Sequence, residues 1–322
     1  MKKIIIFLII PIVFSCSTKK DQYNRELVNL IFLDSKAKDF EISQWSFNKD
    51  TIIIMNKYNQ ALLKFNDSFE MLEKINKQGL GPEEFSNIKA ISIEGEKVLM
   101  FDKDQNVFKT FDLSFTNLNF YNKPSFVLDN VGLFSSDLAI ATYADEGMKN
   151  GITVFKTGKE LEQNILKKIN TSFFEKSGSY FTHQGFFSNA SNGVILYCLY
   201  AEKYFLKIDS KGNLLSKGDY VYSDFIPKPS AVVSDQMSFM SEGMEHVIDC
   251  YVNDNKLFVL SNLSSDKLNR YVDIYDIVNM DYLLSMSVPQ VGEEELPSKI
   301  LVKGDILYVN YENSFVRYKM AL

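Results

Sequence analysis

The stretch Lys97–Asp112, which reads KVLMFDKDQNVFKTFD, contains two short apolar runs separated by the polar break DKDQN. The runs contain aromatic and β-branched residues, which favour β-strands. Asp and Asn in the break favour a tight turn. The stretch therefore predicts a β-hairpin whose turn falls at Asp102–Asn106.

The same pattern recurs along the chain. Copies of it begin at Thr51, Lys97, Leu138, Gly193, Lys256 and Asp305. An additional innermost strand is expected in front of the copies, for example at Ile88–Ile93, Val247–Val252 and Lys299–Lys303. Helical periodicity is nearly absent. Four antiparallel strands that recur every 41–63 residues predict an all-β fold, a six-bladed β-propeller of four-stranded antiparallel blades.

The last copy ends at Leu322 after three strands, so another segment must cover its edge. Glu26–Leu33 is strand-like and precedes the first complete blade. We expect this N-terminal strand to close the ring, because a long exposed edge would promote aggregation. Asp39–Phe47, with Trp45, is then the inner strand of the first blade. The propeller is predicted over residues 26–322.

The N-terminus has the layout of an export signal. Two lysines precede an apolar run of 11 residues, Ile4–Phe14, which is too short to span a bilayer. Val13–Cys16 resembles the bacterial lipobox, which implies a lipoprotein signal peptide at residues 1–15, an acylated Cys16 and a polar tether at residues 16–25. An ordinary signal peptide with a chance cysteine is the alternative. The expected location is the outer membrane or cell envelope, on a side that the sequence leaves open.

Charge and cysteine content exclude several function classes. The 322-residue chain carries a formal charge of −6 and has no basic stripe, which argues against nucleic acid as a partner. Two histidines and no Cys-x-x-Cys argue against a zinc site. Cys198 and Cys250 both lie in apolar runs, and we favour two buried thiols over a disulfide.

One glycine-rich motif stands between the first two copies. It reads Lys77-Gln78-Gly79-Leu80-Gly81-Pro82-Glu83-Glu84-Phe85. Gly79 and Gly81 permit positive φ and Pro82 fixes its own φ, so we interpret the motif as a shaped turn that connects two blades. If Gly81 adopts positive φ, Gly81→Val should be strained, and ordinary β dihedrals at both glycines would contradict a shaped turn. Phosphate binding is the weaker alternative, since no G-K-[ST] follows and Glu83 and Glu84 would repel an anion.

This motif, followed by VLMFD and NVFKTFD, resembles the repeat of NHL-type six-bladed propellers. In detail it is similar to six-bladed propeller lipoproteins of Gram-negative anaerobes. The motif match covers roughly residues 70–113, and the later copies lack the glycines. The resemblance implies a membrane-anchored propeller that serves as a binding module, a function that fold analogy alone suggests.

An aromatic segment offers candidate ligand contacts. Tyr180, Phe181 and His183 lie in FFEKSGSYFTHQGFF, inside a long connection, where rings could stack on a small ligand, a glycan or a protein partner. The alternative is that these rings fill the space between blades. Asp102–Asn106 opens like a calcium loop but lacks Gly at the sixth position and Glu at the twelfth, so we interpret it as a turn.

The sequence contains no nucleophile motif, and we assign no catalytic residue, cofactor or metal ligand. The leading hypothesis is a monomeric, lipid-anchored binding module. The alternative is a propeller hydrolase or lyase, lactonase-like or acting on polysaccharides, with a central site that calcium could assist.

Overall fold

The computed structural model describes the chain from Tyr23 to Ala321 with internal gaps. The residues left out between these ends are 82, 117–118, 122–127, 136–137, 145–149, 157–164, 170–183, 191–192, 226–230, 235–236, 241–245, 264–268 and 293–294. No helix that the described residues form is long and apolar enough to cross a membrane.

The described residues form short β-strands with one 3₁₀ turn at Ser223–Phe225. In chain order, the strands are β1 (Leu27–Val28), β2 (Leu30–Ala37), β3 (Ile42–Asn48), β4 (Thr51–Asn56), β5 (Leu62–Asn66), β6 (Met71–Ile75), β7 (Ile88–Glu94), β8 (Lys97–Asp102), β9 (Val107–Asp112), β10 (Asn119–Tyr121), β11 (Leu128–Ser135), β12 (Leu138–Ala144), β13 (Asn150–Lys156), β14 (Ile165–Ile169), β15 (Gly185–Ala190), β16 (Val194–Leu199), β17 (Tyr204–Asp209), β18 (Leu214–Asp219), β19 (Ala231–Ser234), β20 (Met237–Met240), β21 (Val247–Asn253), β22 (Lys256–Ser261), β23 (Asn269–Asp276), β24 (Asp281–Pro289), β25 (Lys299–Lys303), β26 (Ile306–Asn310) and β27 (Ser314–Met320).

These strands form six antiparallel blades, which confirms the predicted six-bladed propeller. Blades 1 to 4 are β3–β6, β7–β10, β11–β14 and β15–β18, blade 5 is β21–β24, and blade 6 is β25–β27 with β2. A separate hairpin, β19–β20, lies between blades 4 and 5 in the sequence. Each blade starts with its innermost strand, and the predicted inner strand at Lys299–Lys303 has the predicted bounds.

The ring is closed by the N-terminal segment, as predicted. β2 pairs antiparallel with β27, from Leu30 opposite Met320 to Ala37 opposite Ser314, and supplies the outer strand of blade 6. β1 instead pairs in parallel with β24 of blade 5. The predicted segment Glu26–Leu33 therefore spans two short strands on adjacent blades, and the closing strand continues four residues beyond it.

Six apolar clusters hold the blades together, one between each pair of neighbours. The alternation of side chains along a strand explains them. In β4, Ile52 and Ile54 pack toward blade 6, whereas Ile53 and Met55 pack toward blade 2. Both faces of a middle strand are therefore buried, which explains why these strands are continuous apolar runs. Each fully buried side chain of this size stabilises the fold by about 1.5–3 kcal/mol.

The propeller begins before Glu26, the first residue predicted to belong to it. Arg25, at the end of the predicted tether, is fully buried. Its Nε donates to Oδ1 of Asp273 at 2.7 Å, and its Nη2 donates to Oγ of Ser261 at 3.0 Å. Its guanidinium also lies 4.5 Å from the ring centroid of Tyr271. These contacts fix the N-terminal segment to blade 5.

The two internal cysteines are free and buried, as favoured from the sequence. Cys198 lies on β16 and Cys250 on β21, and both belong to the apolar cluster between blades 4 and 5. Burial raises the pKa of the Cys250 thiol. The two residues pack as small apolar side chains.

Candidate functional site

A cavity of about 520 Å³ lies where the innermost strands of all six blades meet. One lining residue from each inner strand in turn is Gln44, Lys89, Asn130, Phe186, Asp249 and Lys299. This volume is in the range of small-molecule sites, about 300–1,000 Å³. We call this space the axial cavity.

The inner strands have no further strand between them and the cavity, so other groups must satisfy some of their backbone donors. Oδ2 of Asp249 in blade 5 accepts from the backbone N of Ile300 in blade 6 at 2.8 Å. Oγ of Ser188 in blade 4 accepts from the backbone N of Val252 in blade 5 at 2.9 Å. These polar side chains therefore join neighbouring blades while they line the cavity.

Lys299 places a positive charge beside an aromatic pair. Its Nζ lies 6.0 Å from the ring centroid of Phe186, across blade 5. The ring of Phe186 in turn packs edge-on against Tyr200, with 4.7 Å between centroids. Tyr200 and Tyr251 also line the cavity. This side of the cavity combines a cation with ring surfaces.

Asp249 is the buried acid of the cavity, with 7% of its surface exposed. Burial raises the pKa of its carboxyl, and this effect is opposed by the charge of Lys299 and by hydrogen bonds from the backbone of Ile300 and Cys250. Because backbone donors already engage the carboxylate, Asp249 is primarily a link between blades.

The two ends of the cavity differ in charge. Every blade has the same strand order, so the inner strands run in the same direction around the axis. Lys89 and Lys299 stand within the first two residues of β7 and β25, and Glu94 is the last residue of β7. Glu94 lies five positions beyond Lys89 along β7, a distance of roughly 16 Å. The lysines therefore lie toward one mouth and Glu94 toward the other.

The predicted ligand contacts Tyr180, Phe181 and His183 lie outside the described residues. The description resumes at Gln184, directly before β15. Two rings of the same aromatic segment, Phe186 and Phe187, do line the axial cavity. Phe187 also stacks on Tyr197 at 4.3 Å, so it packs within its blade as well.

The glycine-rich motif forms a compact connection between blades 1 and 2. The carboxylate of Glu84 accepts from the backbone N of Gly81 at 2.6 Å. The backbone N of Gly79 donates to the carbonyl of Phe85 at 3.0 Å, and that of Phe85 donates to the carbonyl of Lys77 at 2.6 Å. Phe85 then packs into the cluster between the two blades. Gln78 forms a parallel bridge with Phe85.

Of the two glycines, Gly79 has positive φ, at 157°, and Gly81 does not, so the condition for strain in Gly81→Val is not met. At Gly79 the backbone conformation itself favours glycine, and both glycines also lie close to the carboxylate of Glu84. A Cβ on Gly79 would lie 2.0 Å from Oε2 of Glu84, and a Cβ on Gly81 would lie 2.9 Å from the same atom. Glu83 instead points outward toward Lys77, at 3.3 Å. Pro82 is outside the described residues.

Asp102 organises the start of blade 2. Its carboxylate accepts from the backbone N of Ser86 at 3.0 Å and from Nζ of Lys109 at 3.2 Å. Nζ of Lys109 also donates to the carbonyl of Glu84. Asn106, in the turn that follows, has φ of 51°, which Asn tolerates. The segment 102–106 thus forms the hairpin turn expected from the sequence.

The polar residues of the axial cavity were not predicted from the sequence. Lys89, Asp249 and Lys299 all lie within the predicted inner strands. A charged residue within a strand that is otherwise apolar was the available signal. Interpreting such a residue as part of a site requires knowing that these strands meet at the axis. Among the described residues, no group of three or more His, Cys, Asp or Glu side chains could hold a metal ion.

Comparison with solved structures identifies other propellers. A protein assigned to export in Bacteroides fragilis has a TM-score of 0.56 and 13% identity, over 91% of this chain and 95% of that one. A catalytically inactive virginiamycin B lyase from Staphylococcus aureus with quinupristin has a TM-score of 0.52 and 9% identity, over 89% and 100%. A DUF4221 family member from Bacteroides vulgatus has a TM-score of 0.51 and 9% identity, over 90% of this chain and 97% of that one. At these identities the likeness shows the fold alone.

No curated protein shows significant sequence similarity to this chain. A family model described as a six-bladed β-propeller, DUF5128, matches residues 21–282. That match covers most of the chain and includes the closing strands, the glycine-rich motif, the first four blades and the first three strands of blade 5. The chain therefore belongs to the DUF5128 family of six-bladed β-propellers.

Proposed function

We propose that this protein is a lipid-anchored binding module of the cell envelope, whose axial cavity takes a small ligand. The observation that carries the proposal is that all six blades contribute side chains to one cavity. A closed ring holds these side chains in place before a ligand arrives, which reduces the entropy lost on binding.

The chemistry of the lining supports binding. Gln44, Ser92 and Asn130 offer hydrogen-bonding groups, whereas Phe186 and Tyr251 offer ring surfaces. A few polar groups in a concave site that also has aromatic walls are typical of small-molecule recognition. The export signal and the lipobox-like Val13–Cys16 support placement in the envelope, as does the exported relative of the same fold.

Ligand-observed NMR of the domain comprising residues 17–322 against a library of neutral and charged oligosaccharides, peptides and metabolites tests the proposal. Ser92→Trp should fill the cavity and abolish binding. Thr116→Trp, at an exposed position in a turn of blade 2, is the matched control and should bind like wild type. Thermal melting establishes that both variants are folded. If no compound binds, or if Ser92→Trp binds as wild type does, the proposal is wrong. Conversion of a bound compound would favour the enzyme alternative.

Anchoring is tested separately at Cys16. Cys16→Ala should abolish incorporation of labelled palmitate and release the folded protein from the membrane fraction. Cys198→Ala is the matched control, since it also removes one thiol, and it should stay in the membrane fraction. A Cys16→Ala protein that is as firmly bound to membranes as wild type would contradict the lipid anchor.

A further inference from the structure

The charge distribution of the axial cavity restricts the ligand further. Toward one mouth, Lys89 and Lys299 bring two ammonium groups. Asp249 lies near Lys299 and offsets part of this charge, but one carboxylate stands against two ammonium groups. Glu94 belongs to the other end of β7. This mouth therefore favours an anion.

The contact with Phe186 orients one of these cations. With Nζ of Lys299 6.0 Å from the centroid of Phe186, the ammonium extends from blade 6 past blade 5 toward blade 4. The face of an aromatic ring attracts such a cation. The ammonium keeps three donors, and a ring leaves them available for an acceptor such as a carboxylate.

The remaining lining suits a hydroxylated ring. The Phe186–Tyr200 pair and Tyr251 provide surfaces on which a ring could stack. Amide and hydroxyl side chains supply donors and acceptors for several hydroxyl groups. Those that line the cavity on four different inner strands are Gln44, Ser92, Asn130 and Asn189. Asn189 and Ser92 already share one hydrogen bond, with Nδ2 of Asn189 donating to Oγ of Ser92 at 3.4 Å. Nδ2 of Asn130 is buried without an acceptor, and a sugar hydroxyl could accept from it whereas an apolar acid could not.

We propose that the axial cavity binds an acidic carbohydrate, a short oligosaccharide whose carboxylate pairs with Lys299 while Lys89 adds positive charge at the same mouth. This inference rests on the proposed function, because it names the ligand class of that cavity. Phe186 positions Lys299, and the amide and hydroxyl side chains bind the sugar hydroxyls.

The test is isothermal titration of the domain with a panel of acidic oligosaccharides. The panel comprises trigalacturonate, an alginate trimer, a hyaluronan tetrasaccharide and sialyllactose, each with its carboxyl-reduced neutral counterpart. At least one acid should bind at least about tenfold more tightly than its counterpart, since a charge-assisted hydrogen bond is lost on reduction. Raising the salt concentration should weaken binding of the acidic sugar and leave the affinity for the neutral sugar unchanged.

Lysine variants locate the effect. Lys299→Gln should weaken binding of the acidic sugar by about tenfold and leave the affinity for the neutral sugar unchanged. Lys299→Arg should restore much of the lost affinity, because it keeps the positive charge. Lys217→Gln is the matched control, because Lys217 is an exposed lysine on the outer strand of blade 4. Melting curves show whether each variant is folded.

The outcomes separate this inference from the proposed function. If neutral sugars or other library compounds bind in the cavity and no acid is preferred, the assignment of an acidic ligand is wrong. The proposed function as a binding module is then still supported. If an acid binds equally well to wild type and to the double variant Lys89→Gln, Lys299→Gln, the assignment of the lysines is wrong. If nothing binds, the inference and the proposed function both fall.

Discussion

At the residue scale, breaking the buried ion pair between Arg25 and Asp273 should destabilise the fold strongly. Neither side chain is exposed. Arg25→Met should destabilise the domain by about 3–5 kcal/mol, because the carboxylate of Asp273 would remain buried without its counter-charge, beside the hydroxyl of Ser285. Urea unfolding of the variant measures the loss.

Two further variants control that experiment. Lys57→Met removes an exposed ion pair with Glu41 and should cost at most about 1 kcal/mol. The double variant Arg25→Met, Asp273→Leu should be more stable than Arg25→Met alone, because no unpaired charge is left. An Arg25→Met loss no larger than that of Lys57→Met would show that the pair does not hold the N-terminal segment.

The glycine-rich motif gives a second prediction at this scale. Glu84→Ala should cost about 1–2 kcal/mol, since the backbone N of Gly81 loses its acceptor. Glu83→Ala is the matched control and should change stability by less than about 0.5 kcal/mol, because its side chain is 73% exposed. Equal effects of the two variants in urea unfolding would contradict the role given to Glu84.

At the element scale, the closing strands decide whether the disc is stable. Deletion of Glu26–Leu33 removes β1 and half of β2, so the edge of β27 would be exposed. We expect a loss of several kcal/mol, which lowers the melting temperature by about 2–4 °C per kcal/mol. Calorimetry measures it. Deletion of residues 17–22 is the matched control and should leave the melting temperature unchanged. Two deletions with equal melting temperatures would exclude β2 as the closing element.

The strands could be predicted because their signal is local. The copies that begin at Thr51 and Lys97 start at the first residues of β4 and β8, since apolar runs between Asp- and Asn-rich turns specify hairpins on their own. The break at Asn29 could not be predicted, because the step from blade 5 to blade 6 depends on partners that are more than 250 residues away.

The site was less predictable than the fold. Lys89 and Lys299 are ordinary strand residues in the sequence, and only closure of the ring brings them to one mouth. The buried ion pair of Arg25 could not be predicted either, since its partner Asp273 is 248 positions away. Positive φ at Gly79 and not at Gly81 could not be predicted either, because the two glycines stand in one short turn and the hydrogen bond from Gly81 to Glu84 is not visible in the sequence.

At the scale of the whole molecule, the six blades form one ring with apolar contacts between every pair of neighbours. Such a ring provides a rigid frame, and rigid frames commonly position binding residues for a ligand. The central claim is that the ligand lies on the axis and contacts several blades, not the outer strands. Exposed apolar residues of those outer strands, such as Leu72, Leu215 and Leu283, offer the competing surface.

Methyl NMR of the domain, titrated with the tightest-binding member of the oligosaccharide panel, tests that claim most directly. We expect chemical-shift changes in the methyl groups of Ile91, Val131 and Val252, which line the axial cavity from three different blades. Leu72 and Leu215 should stay unchanged. Shifts confined to Leu72, Leu215 and other outer-strand methyl groups would contradict the axial site.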